Sequence, residues 1–219
     1  MRDVAGNPVP NTVVSFTAPA SGASMQFNGS HTARLNTGAD GIASLSGAAA
    51  NNIVGSYNVV ATVAGVTAGV SFALTNRADV PATITATSGT PQSARIGELF
   101  QTPMTATVRD RFGNLLAGVA VSFRVTPLTG QLAQGNFSGA NIVIVNTDSM
   151  GVANAPAFRA NTALGMHEVL ATVTSIGIPA HFLFTNIVGV PALIVADGGD
   201  NQAAIINTSF SAGLAVKVF

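Results

Sequence analysis

Few side chains in this sequence could do chemistry, and they are scattered. The chain has 219 residues, no cysteine and three histidines, and no Gly-x-Ser-x-Gly, zinc-protease or phosphate-loop motif occurs. His31, His167 and His181 lie far apart in the sequence, and we expect them to be surface or half-buried structural residues. Because no nucleophile or hydrolytic metal site can be built from these residues, we predict that the protein is not an enzyme and needs no cofactor.

One compact acidic loop, Asp197-Gly-Gly-Asp200-Asn201, has oxygen ligands at a spacing that could hold Ca²⁺. It is short of ligands, and the matching segment 110 residues earlier, Thr87 to Pro91, has no carboxylate. We therefore expect a turn, with Asp197 and Asp200 as the weak metal candidates. Asp40 and Asp148 precede glycines and are expected to accept backbone N–H bonds in turns.

The composition excludes several classes of partner. Only 8% of the residues are charged, the formal net charge is zero and the single lysine is Lys217. Without a basic cluster to neutralise phosphates, nucleic acid and anionic membrane surfaces are not expected partners. No apolar run approaches the roughly 18 residues that a membrane helix requires, so no membrane insertion is predicted. A mean hydropathy of +0.46 is high for a soluble monomer and favours exposed faces that are lateral contacts.

The absence of cysteine excludes a disulfide framework and is compatible with bacterial surface proteins. The first residues, Met1 to Pro8, contain no apolar segment of the kind found in a signal peptide. We expect either that export is signalled elsewhere or that the chain is a fragment.

An internal repeat organises the chain at a spacing of 110 residues. Gly55 to Val63 matches Gly165 to Val173, Phe72 to Asn76 matches Phe182 to Asn186, and Val80-Pro-Ala matches Val190-Pro-Ala. Earlier in the chain, Gly6 to Phe16 matches Gly113 to Phe123 at a spacing of 107. The second copy therefore carries three extra residues between Phe123 and Asn146.

The repeated segments have the pattern of β-strands. Val119, Val121, Phe123 and Val125 alternate with small or polar residues, which is the period of a half-buried strand. Turn residues recur every 8 to 12 positions, as in a β-sandwich. We predict an all-β fold of tandem antiparallel two-sheet sandwiches, with about seven strands in the complete copy. In the second copy the strands are expected near 82–87, 92–97, 103–110, 117–125, 140–146, 151–158, 166–174 and 178–185.

The two ends of the chain match different parts of one domain. Phe210 to Val218 aligns with Phe100 to Val108, whereas Arg2 and Asp3 align with Arg109 and Asp110. We predict that residues 1–79 are a domain lacking its first strands, 80–191 a complete domain, and 192–219 the early strands of a next domain. The expected assembly residues in that last segment are Phe210, Leu214, Val216, Val218 and Phe219.

The missing strands would carry much of a core. Nine apolar side chains in 192–219 would contribute about 13–27 kcal/mol gross on burial, so residues 1–79 should not be stable alone. The nine are Leu193, Val195, Ile205, Ile206, Phe210, Leu214, Val216, Val218 and Phe219. The linker 190–192 leaves no slack for a return in the same chain. We expect supply by a neighbouring chain or repeat, which is head-to-tail donor-strand complementation.

The ordered motifs resemble bacterial immunoglobulin-like repeats of the invasin and intimin type. The resemblance rests on Val4 to Val9 with Val13 to Phe16, Asn36-Thr37 with Asp40 to Ala43, and Gly55 to Ala61, and on their second copies. It implies an extracellular or cell-surface stalk or fibre of stacked sandwiches. It supplies no ligand, because in that family binding usually resides in a specialised terminal domain.

The leading hypothesis is thus a structural repeat of a bacterial fibre or adhesin stalk whose partner is itself, with a host or cell-surface ligand as a further partner. The alternative is an adhesive or carbohydrate-binding module that uses the longer loop 126–140. Against it, the chain has no tryptophan and one tyrosine, the side chains that sugar platforms favour. A third reading, an accessory domain of a secreted enzyme, requires catalytic residues outside this chain.

Overall fold

The computed structural model describes all 219 residues, and its regular structure consists of eighteen β-strands without a helix. Every strand pairing is antiparallel except one. The prediction of an all-β, antiparallel fold is confirmed. No helix of a length and hydrophobicity suited to crossing a membrane occurs.

Residues 1–79, the first unit, contain one four-stranded sheet and a small ribbon. The sheet has the order β3-β1-β5-β6, and β2 pairs only with β4. The strands are β1 Val13–Thr17, β2 Met25–Phe27, β3 Thr32–Asn36, β4 Ala48–Ala50, β5 Gly55–Val63 and β6 Val70–Asn76.

Residues 80–191, the second unit, contain two facing sheets. One has the order β12-β10-β15-β16-β8, the other β13-β9-β7, and β11 pairs with β14 in a short ribbon. The strands are β7 Pro81–Ser88, β8 Gln92–Arg95, β9 Thr105–Asp110, β10 Ala120–Pro127, β11 Gly135–Asn136, β12 Ile142–Asn146, β13 Val152–Asn154, β14 Arg159–Ala160, β15 Gly165–Thr172 and β16 Ala180–Ile187.

The alternation of side chains places the core between these two sheets. In β10, Val121, Phe123 and Val125 are buried while Ser122 and Arg124 face outward. A one-residue slip of this strand would exchange the two sets, so the apolar alternation fixes the register.

Residues 192–219, the terminal segment, form a two-stranded ribbon of β17 Ile194–Gly198 and β18 Ala215–Val218. No other strand pairs with either of them. An isolated two-stranded ribbon is marginally stable in water, so this segment requires further packing to be a stable element.

The second unit differs from the expected strands in one region. The strand expected over 151–158 is split into β13 and β14, with Pro156 between them, because proline cannot donate to a ladder. The loop 126–140 contains the unexpected strand β11, and Phe137 beside it is buried against Phe158 with ring centroids 4.8 Å apart.

Candidate functional site: an open core and an exposed ribbon

The two units differ sharply in how much core they bury. The second unit has a core of 21 buried residues, whereas the buried core of the first unit has only 4: Phe16, Ala18, Phe27 and Val59. The four-stranded sheet of the first unit corresponds to the five-stranded sheet of the second unit, but no counterpart of the three-stranded sheet packs on its inner face. Its inner face is therefore an open core.

Matched positions in β6 and β16 show what this opening exposes. Phe72 is 47% exposed, whereas Phe182, 110 residues later, is fully buried. Leu74 is likewise exposed where Phe184 is buried. Phe72 and Leu74 line an apolar groove of about 270 Å³ whose other walls are Phe16, Met25, Ala43, Leu45 and Val59.

The first unit also leaves backbone edges without partners. In the second unit β16 pairs with β8 in parallel, but the corresponding strand β6 is the unpaired edge of its sheet. Residues 42–44 match β13 and are not in a strand, since the first unit has no counterpart of β9 for them to join. Free edges of this kind are ready to pair with another strand.

The terminal segment has the strand pairing of β7 and β9, a pair for which the first unit has no counterpart. Ile84 lies opposite Val108 in the β7–β9 pair, and Ile194 lies opposite Val218 in the β17–β18 pair. Both pairs contain a register shift at the same place, between Ala86 and Ser88 and between Ala196 and Gly198. The ribbon therefore has the strand register of the β7–β9 pair.

The connection between the two terminal strands is held in the same way as its counterpart. The Gln92 amide donates to Gly89 O and Thr102 O, both at 2.7 Å, and accepts from Thr102 N. The Gln202 amide donates to Gly199 O at 2.6 Å and to Ala212 O at 2.9 Å, and accepts from Ala212 N. The segment 199–212 is thus folded although nothing covers it.

The register shows which terminal side chains match core positions. Ile194, Phe210, Leu214, Val216 and Val218 are exposed, and their counterparts 110 residues earlier are buried: Ile84, Phe100, Met104, Ala106 and Val108. Four of the five residues predicted for assembly are among them. Ile194 was missed, although Leu193 and Val195 beside it match outward-facing threonines of β7.

The remaining predicted assembly residue, Phe219, lies on the other face of the ribbon. Its ring is 5.0 Å from Lys217 Nζ, and its counterpart Arg109 is exposed. The geometry does not make Phe219 a core residue. Its contribution is to the backbone, where Phe219 N donates to Leu193 O at 2.9 Å.

A turn at the start of the first unit has the same hydrogen bonds as one in the second. Asp3 Oδ1 accepts from Ala5 N and Asn7 N, and Oδ2 accepts from Asn7 Nδ2. These bonds, led by that from the Asn7 backbone, lower the pKa of the exposed Asp3 carboxyl. Asp110 makes the same bonds to Phe112 and Asn114.

Asp110 makes one further bond, which joins the two units. Its Oδ2 accepts from the backbone N–H of Asp79 at 3.1 Å, and Asp79 forms an ion pair with Arg111. Burial raises the pKa of the Asp110 carboxyl, but the bonds from Asn114, Asp79 and Phe112 outweigh burial and lower it overall. The turn thus anchors the second unit to the linker before it.

The histidines are distributed as isolated residues. His181 is exposed and pairs with Glu168 at 2.9 Å, and His31 is half-buried with Nδ1 3.5 Å from Ser24 Oγ. His167 differs from the expectation of a surface or half-buried residue, since it is fully buried among Phe100, Phe158 and Phe184. Neither ring nitrogen has a partner, and burial lowers its pKa to about 4.

The acidic loop provides no convergent set of ligands. Asp197 is exposed in β17, and Asp200 Oδ2 accepts from its neighbour Asn201. No group of three or more His, Asp or Glu side chains comes together anywhere in the chain. Asp197 and Asp200 are therefore two exposed carboxylates, one at the end of β17 and one just after it.

Comparison with solved structures identifies proteins with similar folds. The adhesin FdeC of Escherichia coli matches at 19% identity with a TM-score of 0.50, covering 89% of this chain and 60% of that chain. Invasin, a bacterial integrin-binding protein, matches at 20% identity with a TM-score of 0.43, covering 90% of this chain and 37% of that chain. A domain fragment of intimin matches at 19% identity with a TM-score of 0.32, covering 83% and 85%.

The match to the adhesin FdeC confirms the predicted resemblance at the level of the fold. The chain has the immunoglobulin-like β-sandwich fold. It spans 37% and 60% of the invasin and FdeC chains. No protein-family model matches the sequence, and no curated protein matches it by sequence search.

Proposed function

We propose that this chain is a structural module of a bacterial surface adhesin or fibre, extracellular and not enzymatic, whose first unit is completed by strands from a neighbour. The neighbour is a second copy of the chain, or the preceding repeat of a longer polypeptide. The observation that carries the proposal is the terminal ribbon, which has the register of β7 and β9 and exposes the matching core residues.

The inner faces fit each other by position. Ile194, Val216 and Val218 would lie over Phe72 and Leu74 as the inner face of β7 and β9 lies over β16. Burial of these three with Phe210 and Leu214 contributes about 8–15 kcal/mol gross, before ordering costs are subtracted. This estimate only overlaps the lower end of the range expected from nine side chains, because fewer side chains face the core.

The backbone edges fit as well. In the second unit Gln92 pairs with Phe184 and Ala94 with Asn186. The corresponding bridges would join Gln202 to Leu74 and Ala204 to Asn76. Residues 42–44 would then join β18 as β13 joins β9, which is strand addition at two free edges.

The acceptor has to release its own first residues. Met1 N donates to Gly41 O and Val9 N to Met1 O, in the way that Val108 N donates to Gly151 O and Leu116 N to Val108 O. Met1 and Val218 therefore match the same position of the fold. Assembly would replace the bond from Met1 to Gly41 by one from Val218 of the supplying copy.

The strands come from a neighbouring copy or repeat because residues 188–191 lead directly from the second unit into the terminal segment and leave no length for a return to the first unit. The donating and accepting surfaces are different patches of the molecule, so the contact is heterologous and grows head to tail without closing. A filament of this kind would cover the apolar faces that the separate chain exposes.

Two blocked variants test the proposal. Ile194→Asp places a charge on the donating face, and Phe72→Glu places one on the accepting face, so each variant alone should remain a monomer of 21.9 kDa. Mixed together, they retain one working donor and one working acceptor and should form a dimer that does not grow. Light scattering after size exclusion measures this, with the unblocked chain expected to form longer species. A mixture that stays monomeric would overturn the proposal.

The carbohydrate-binding alternative is not supported by the loop on which it relied. Residues 126–140 fold against the second unit through Phe137, and a Cβ at Gly135 would overlap the Phe158 ring. A host-surface ligand, of the kind named for invasin, would be a property of a longer protein that contains this module.

A further inference from the structure

The junction between the two units depends on the turn at residues 110–114. Besides the bond from Asp79 N to Asp110, Asn114 Nδ2 donates to Asn52 O in the first unit at 2.9 Å. Arg111 adds the ion pair to Asp79 at 2.9 Å. Two backbone groups and one charge of the preceding unit are thus bound by a single turn.

The turn at residues 3–7 has the same internal hydrogen bonds but makes no bond to another unit of the chain. By the repeat spacing, Asp79 corresponds to Gly189 and Asn52 to Thr162. The geometry points to a second use of this turn: Asp3 accepts the backbone N–H of Gly189, and Asn7 donates to the carbonyl of Thr162, both of a second copy. This docking rests on the proposed function, since the same second copy supplies the ribbon.

The side chains at the two ends match each other in charge. Arg111 faces Asp79 within the chain, whereas Val4, which corresponds to Arg111, would face Gly189. Because Val4 and Gly189, the counterparts of this ion pair, are both uncharged, the junction between copies would contain no unpaired charge. Val4 is fully exposed in the separate chain and is therefore accessible for this contact.

The linker before the ribbon belongs to the same contact. Ala78 packs against the core of the second unit, and its counterpart Val188 is exposed. The surface that docks onto the first unit of a second copy therefore begins at Val188, four residues before the terminal segment.

An engineered ion pair tests this contact. The acceptor carries Ile194→Asp with Val4→Arg, and the donor carries Phe72→Glu with Gly189→Asp. A Cβ at position 189 would meet only Ile96, at an ordinary distance of 3.7 Å, so the substitution fits the donor. By analogy with the exposed pair Arg111–Asp79, the two substitutions together should tighten the dimer about two- to fivefold beyond the product of their separate effects.

The affinity of the dimer is measured by calorimetry for the four combinations of Val or Arg at position 4 with Gly or Asp at position 189. The measurements are made at low and high salt, and the coupling between the two substitutions should disappear at high salt. Val4→Glu opposite Gly189→Asp is the matched control and should weaken the dimer. If every combination dimerises with the same affinity at low salt, this docking geometry is wrong while strand supply stands. If no combination dimerises, the proposed function itself fails.

Discussion

Ile194 lies opposite Val218 across the terminal ribbon, and both side chains are exposed, at 63% and 55%. Their counterparts Ile84 and Val108 have the same pairing and are buried at the centre of a sandwich. The same local structure is therefore found once with and once without the sheet that should cover it.

Neighbouring residues of β17 should differ in their effect on assembly. Ile194→Asp would bury an unpaired carboxylate in the completed core and should weaken self-association on the order of 100-fold or more. Val195→Asp places the same charge on the outward face and should leave association within about threefold. Sedimentation velocity over a concentration series compares the two. Equal effects of the two substitutions on self-association would contradict burial of the Ile194 face in the assembly.

A rearranged chain should contain two complete sandwiches. Phe219 and Asp3 match Arg109 and Asp110, which are consecutive, so residues 80–219 followed directly by 3–79 restore one continuous domain without a linker. This chain should be monomeric and should melt above the original chain, because the ribbon is now supplied intramolecularly. Calorimetry and light scattering are the measurements.

The same rearranged chain with Ile194→Asp is the control, and it should lose the added stability while its second unit still unfolds cooperatively. If the rearranged chain self-associates as the original does, residues 192–219 do not complete residues 3–79.

Acid should destabilise the second unit through His167. Its pKa is about 4 when folded and near 6.5 when unfolded, so the neutral ring contributes stability that is fully present above pH 6.5. That stability is lost as the pH falls from 6.5 to 4, by up to about 3 kcal/mol. Urea unfolding of the wild type and His167→Phe at pH 7 and 4.5 checks this, since the variant should lose less stability between the two. An unchanged pH slope would contradict it, and His181→Gln serves as the exposed control.

Gly135 should not tolerate a side chain. A Cβ there would lie 2.3 Å from the Phe158 ring and 2.8 Å from Arg159 O, so Gly135→Ala should destabilise the second unit by about 1–3 kcal/mol. Gly177 has no atom within 4 Å of its Cβ position, and Gly177→Ala should be nearly neutral. Thermal unfolding of both variants measures the difference. Equal melting temperatures would mean that the 126–140 loop is not packed against the core.

Much of the fold could be predicted because its information is local. Alternation in Val119 to Val125 specifies a strand and its inner face, and the 110-residue repeat transfers each assignment to the second copy. Ile194 was missed because three apolar residues in a row, Leu193 to Val195, show no alternation. Its match to Ile84, which lies between Thr83 and Thr85, is the signal that could have found it.

Other features depend on contacts distant in sequence. The burial of His167 follows from three phenylalanines on other strands or loops, none of them near it in the chain. The position of β14 depends on its pairing with β11, a two-residue strand that has no periodicity to detect. The docking role of Asp110 becomes visible only when Asp79 lies beside it.

The amide of Gln202 has a kinetic consequence. This amide already holds the loop between β17 and β18 in the conformation found around Gln92. The ribbon would therefore reach its acceptor already folded, and its strands would not have to form on the acceptor. Little backbone ordering would then remain for the encounter itself. Growth would instead be limited by how often the bond from Met1 to Gly41 opens, because Val218 of the supplying copy takes the same position.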